Sequence, residues 1–259
     1  MRFASSIQLL LVFFITFFAQ GAVPHKAIVF FAEGFPASDI PEPSRPVLEQ
    51  ALGSVRPVLQ PNWVSDVQGL NLGLQDDSNK LLILPYGSAF PVEAWPSIKT
   101  FLGRGGNLLV IGGAPFHQPV RSENGQWVKG FRQPTFASQL LIGPAEEIIV
   151  KPTWSAEETN HLALDSAPKR TWALTARFVT TKDFQEEDGG AGIREAIMRP
   201  LARWADADGV PRACAVQEID RLRGDWAGGR WVFATTDAYI GVEAITKLIE
   251  RAISGPYEL

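Results

Sequence analysis

Residues 80–116 read KLLILPYGSAFPVEAWPSIKTFLGRGGNLLVIGGAPF, and their pattern decides the fold. Leu81–Leu84 is an apolar run of strand length, stopped by Pro85. From Val92 to Leu102 the spacing is helical, with Trp95, Ile98 and Leu102 on one face. Gly103, Gly105 and Gly106 end that helix, and Leu108–Ile111 is a second apolar run before Gly112-Gly113. Strand, helix and strand in about 35 residues make a right-handed βαβ unit, its parallel strands buried on both faces. Ligands in such folds sit beyond the carboxyl ends of the strands. Here those ends are Tyr86-Gly87-Ser88 and Gly112–His117, so a site is expected between these two loops.

Working outward, residues 26–31 form a first strand, ending in the loop Glu33-Gly34-Phe35-Pro36. Pro41 and Pro43 lead into a helix of about ten residues whose buried face is Val47, Leu48, Ala51 and Leu52. A short second strand is expected over 55–59, then a weak helix or loop over 63–74. Beyond Phe116, the Asn124-Gly125 turn signal implies a hairpin, and residues 133–141 a short helix ending at Gly143. Strands are expected over 146–150 and 171–180, and an exposed acidic, glycine-rich loop over 185–192. Residues 212–223 and 229–235 flank a glycine-rich turn as a hairpin, whose second arm is the last strand of the main sheet. An amphipathic helix over 242–253 carries Ile245, Leu248, Ile249 and Ala252 on one stripe. The reading is one α/β domain, residues 22–259, with a β-rich insertion over about 151–228.

The chain opens with a basic start, an apolar core over 7–18 and the small-residue site Ala19-Gln20-Gly21, the layout of a signal peptide over 1–21. An exported protein is the expectation (periplasmic, cell-envelope or extracellular), with membrane attachment only through an uncleaved signal. Removing a leader whose sole charge is Arg2 takes the formal charge from −4 to −5, which argues against a nucleic-acid partner. The single cysteine, Cys214, excludes an internal disulfide and reads as a small side chain in a strand. The three histidines have no zinc spacing, the acidic pairs no calcium-loop spacing, and Gly103–Gly106 precedes a strand, not a helix. No cofactor or metal site is therefore expected.

The stretch 80–116 resembles the class I glutamine amidotransferase-like superfamily. More narrowly, it is similar to the amidotransferase-like modules of secreted glycoside hydrolases, including the trimerisation domain of β-galactosidases. The resemblance implies a flavodoxin-like, doubly wound, mostly parallel sheet. It also implies carbohydrate or an adjacent catalytic domain as partner, with homo-oligomerisation as a further option. Active members carry a cysteine at a Gly-x-Cys-x-Gly elbow and a His-x-Glu pair. In this sequence the elbow is Gly112-Gly113-Ala114-Pro115-Phe116, so Ala114 stands in the nucleophile's place. Pro115 has no N–H to give an oxyanion, and no histidine is followed by glutamate two residues on. The resemblance thus implies a module without amidotransferase chemistry.

Two other chemistries can be drawn. Ser88, His117 and Asp237 are the residue types of a hydrolase triad, although Ser88 lacks the Gly-x-Ser-x-Gly context. Glu33 and Asp237 are a carboxylate pair of the kind that cleaves glycosides. A small-ligand binding protein of the cell envelope is the third reading. Glu33, Tyr86, Ser88, Ala114, His117 and Asp237 are accordingly the expected cleft residues. Trp127, Trp154, Trp172 and Trp226 are expected to stack on sugars or pack on a neighbouring domain, the latter for at least two of them.

Overall fold

The computed structural model describes residues 25–37, 40–143, 145–158, 160–174, 179–181 and 195–255. The expected signal peptide and the acidic loop over 185–192 lie outside the described residues. In chain order the elements begin with β1 (His25–Phe30), α1 (Arg45–Ser54), β2 (Leu59–Val64), α2 (Val67–Gln75), β3 (Asn79–Leu84), β4 (Ala89–Pro91), α3 (Trp95–Gly103) and β5 (Asn107–Ile111). There follow β6 (Gln118–Glu123), β7 (Gln126–Lys129), α4 (Thr135–Gln139), β8 (Glu146–Ile149), β9 (Ser155–Ala156), β10 (Arg170–Ala173) and β11 (Val179–Thr181). The chain closes with β12 (Ala196–Ala205), β13 (Pro211–Arg221), β14 (Arg230–Ala234) and α5 (Val242–Ile253).

Five strands pair in parallel in the order β2-β1-β3-β5-β14. Counted along the chain this is 2-1-3-4-5, the flavodoxin-like order. The apolar runs read as strands because alternate residues feed two cores. Ile28, Leu82, Val110 and Phe233 face α2, α3 and α4, whereas Val29, Ile83, Leu109 and Val232 face α1 and α5. A strand sandwiched in this way needs an apolar residue at every position. β14 is last in the sequence but interior in the sheet. Its outer side pairs with β13 antiparallel, and β12 and β11 continue outward. Much of the β-rich segment thus widens the main sheet, while β4-β6-β7 and β8-β10 form separate small sheets.

Three expectations shift. The second strand is β2, not residues 55–59. Val55 instead closes α1, its N–H bonded to the Leu52 carbonyl. β2 escapes apolar-pattern reading because it is an edge strand, largely exposed, and it tolerates Pro61 where only β1 pairs with it. The following helix, α2, is well defined, since the Asp66 side chain caps it by accepting the Gly69 N–H at 2.7 Å. The expected strand over 171–180 is two strands in different sheets, β10 and β11, and residues 175–178 lie outside the described ones.

A buried charge network ties the antiparallel extension to α5. Arg230 binds Asp220 through two N–H groups at 2.6 and 3.0 Å, and Arg251 grips Glu218 at 2.5 and 2.8 Å. Arg199 reaches both carboxylates from β12. Glu218, Asp220 and Arg230 are almost wholly buried. Such a network persists only when each charge has its partner.

Candidate functional site

The two strand-end loops meet as their sequence implies. The Gly87 N–H donates to the Ile111 carbonyl at 2.8 Å, and the Gln118 N–H to the Ser88 carbonyl at 2.9 Å. Gly112 has φ +94°, and a Cβ there would sit 3.4 Å from the Gly87 Cα. That contact is an ordinary one, so it is the positive φ that favours glycine here.

What the loops enclose is already filled. The crevice at the reversal of strand order, between β1 and β3, is where this fold takes ligands. Here the Tyr86 ring, Phe35 and Trp127 occupy it, with Phe35 4.5 Å from Tyr86 and 5.0 Å from Trp127. The Tyr86 hydroxyl accepts the Ala32 N–H at 2.9 Å and donates to the Ala32 carbonyl at 3.0 Å. Desolvation pushes the phenol up to about 12. Tyr86 is therefore a bolt across the β1 and β3 loops.

Of the remaining expected residues, Ser88 and His117 lie side by side where β4 pairs with β6. Glu33 is exposed in a turn. Ser88 is 0% exposed. His117 is 6% exposed; its Nδ1 pairs with the Pro115 carbonyl at 2.8 Å, and its Nε2 is buried without a partner. Burial holds the imidazole below its ordinary pKa and so neutral. Asp237 is committed to structure. Its Oδ1 accepts the backbone N–H groups of Lys169 and Arg170 at 2.8 Å each, and its Oδ2 the Arg170 Nε–H at 3.3 Å. Ala114 is 1% exposed, and the positive φ values of the elbow fall on Gly112, Gly113 and Phe116. The position of a nucleophile thus carries neither a reactive atom nor access.

Cys214 lies on β13 and is partly buried, its thiol donating to the Val216 carbonyl at 3.2 Å. Desolvation pushes it up to about 11, the reverse of an activated thiol. The four tryptophans expected at a sugar or partner surface pack within this chain. Trp127 abuts Phe30 and Phe35, Trp172 is fully buried, Trp226 meets Trp231 edge-on at 5.9 Å, and Trp154 lies against the α1/α5 core.

An open cleft of about 350 Å³ lies one strand pair away, at the carboxyl ends of β5 and β14. Ile40, Pro41, Glu42, Pro43 and Ser44 wall one side, Thr236–Ile240 the other, and Ile111, Gly112 and Val47 also line it. Of the expected residues only Asp237 lines it. Glu42, Ser44 and Tyr239 were missed. The strand-end rule, applied to the last strand and to the Pro41-Glu42-Pro43 loop, points to them. Among the described residues no three of His, Cys, Asp and Glu gather as a metal site.

No protein-family model and no curated protein matches this chain. Solved structures do. The chain is similar to Gan42B, a GH42 β-galactosidase from G. stearothermophilus, at 14% identity and a TM-score of 0.48, over 90% of this chain and 30% of that one. The cold-adapted β-galactosidase from Rahnella sp. R3 gives 14% identity and 0.45, over 89% and 31%. That from Bacillus circulans sp. alkalophilus gives 12% identity and 0.46, over the same shares. This chain therefore corresponds to under a third of the length of these structures.

Proposed function

We propose that this is an exported, non-catalytic amidotransferase-like module of a carbohydrate-active, glycoside hydrolase-type protein. Its work is packing against an adjacent catalytic domain, self-association or sugar contact. The observation that carries the reading is the elbow: Ala114 in the nucleophile's place, enclosed, followed by a proline, with the ligand crevice beside it bolted by Tyr86. The glycoside-hydrolase setting enters with the resemblance of residues 80–116, and it is the setting of the β-galactosidases named above. Export enters with the leader-like residues 1–21.

Intact mass after exposure to a fluorophosphonate and to a 2-fluoroglycoside tests it. The module reading expects no covalent adduct. An adduct on Ser88 or Glu33 supports the alternative, an exported hydrolase of esters or glycosides.

A further inference from the structure

The cleft beside β14 has a lining that selects its ligand. Tyr239 is 63% exposed at the cleft, a large aromatic side chain turned outward next to buried Ala238 and Ile240. The loop that presents it is pinned, since the Tyr239 N–H donates to Ser166 Oγ at 3.1 Å and the Gly241 N–H to Asp165 Oδ2 at 2.6 Å. With the backbone held, a ligand that stacks on the ring has only the tyrosine's own side-chain torsions to order. Pro41, Glu42, Pro43 and Ser44 also line the cleft. Ser44 is the N-cap of α1 yet makes no side-chain cap bond. Asp237 contributes a second carboxylate, with two oxygens and more acceptor sites than its three donors fill.

Charge narrows the choice. No lysine, arginine or histidine is among the described lining residues. Arg45, one residue past the cleft wall, turns to Glu49 at 2.8 Å and lies over the Trp63 ring. Arg170 pairs with Asp237 and Glu147 and lies 5.5 Å from the Trp172 ring. With Asp237 paired to Arg170, the Glu42 carboxylate is the lining charge that disfavours phosphates, nucleotides and carboxylates. A neutral polyol suits the cleft, its hydroxyls donating to the acceptors and its C–H face lying on Tyr239 and the prolines. The volume, about 350 Å³, sits at the small end for ligand sites.

The geometry points to this cleft as a subsite for a neutral saccharide, one or two pyranose rings in size, held by Tyr239, Glu42 and Ser44. The assignment rests on the carbohydrate setting proposed above and gives that module a site of its own.

The test is calorimetric titration of the full chain with methyl β-galactoside, methyl β-glucoside, methyl α-mannoside, lactose and cellobiose, with putrescine and inorganic phosphate beside them. One or more of the neutral sugars binds saturably, and Tyr239→Ala weakens it about five- to tenfold, the loss of one aromatic face. Glu42→Gln weakens it as well, while Glu33→Gln, at a residue that does not line the cleft, leaves it unchanged. Both Tyr239 and Glu33 are exposed, so thermal melts of these variants match the parent. The assignment is overturned if none of the five sugars binds, if putrescine or phosphate binds in their place, or if Tyr239→Ala binds as the parent does. Each of those results leaves the non-catalytic reading standing, because that reading fails on turnover and not on binding.

Discussion

Replacing Tyr86 by phenylalanine removes one oxygen and leaves the ring in place. That oxygen serves both backbone groups of Ala32, accepting its N–H at 2.9 Å and donating to its carbonyl at 3.0 Å. Ala32 and Tyr86 are both buried, so neither orphaned group gains water in exchange. An unsatisfied buried group costs about 1–3 kcal/mol, and the hydroxyl's own lost desolvation cost offsets part of the pair, so Tyr86→Phe should destabilise by about 2–3 kcal/mol. With a urea m-value of about 2.5 kcal/mol/M, the midpoint falls by about 1 M with the slope unchanged. Urea unfolding followed by tryptophan fluorescence reads this directly. A loss under about 0.5 kcal/mol would refute the bolt, because Tyr86 would then be a free polar group of a cleft. The same bolt has an alkaline signature. The folded phenol, near 12, keeps its proton above the unfolded value of 10.0. Between those values the unfolded chain binds fewer protons, so stability is constant below pH 10 and is lost as pH rises towards 12, by about 2–3 kcal/mol in total. Urea midpoints at pH 9, 10.5 and 11.5 should fall in that order.

Cys214 should react with an aromatic disulfide at pH 8 about a hundredfold more slowly in the folded chain than in urea, because a thiol near 11 holds about a hundredth of the thiolate of one near 9.0. Equal rates would mean that the thiol is not desolvated. Asp220→Ala removes the two-point partner of the buried Arg230 guanidinium, leaving Glu218 at 3.9 Å, and should cost about 3 kcal/mol, whereas Asp77→Ala, at an exposed pair with Arg104, should cost under about 1 kcal/mol. Thermal melts of the two variants give the contrast, and similar losses would contradict the buried network. Gly112→Ala should lower stability by about 1 kcal/mol, since it forces a positive φ on a residue with a Cβ. A melt at the parent's temperature would contradict this.

The sheet was legible where strands are buried on both sides. Leu81–Leu84, Leu108–Ile111 and Trp231–Ala234 are continuous apolar runs because each feeds two cores. α5 was legible because one stripe is apolar and the rest is not. β2 was not, since an edge strand has little to bury and carries Pro61. The division of 171–180 into two strands was hidden for another reason: alternation marks a half-buried strand but not its partner, and β10 pairs with β8 while β11 pairs with β12. The missing nucleophile could be read directly from Ala114. What could not be read was that Tyr86 and Phe35 fill the crevice, since a polar aromatic at a strand end looks the same whether it lines a cleft or closes one. The open cleft went unseen because its two walls lie almost 200 residues apart in sequence, at Glu42 and Tyr239.

Steady-state turnover decides whether this domain hydrolyses anything on its own. The purified chain is assayed with chromogenic glycosides, chromogenic esters and glutamine, each beside a buffer control and beside the Ser88→Ala, His117→Ala and Glu33→Gln variants. All four proteins should give rates at the buffer level. Turnover by the parent that any of the three substitutions abolishes would contradict this and make the domain an enzyme.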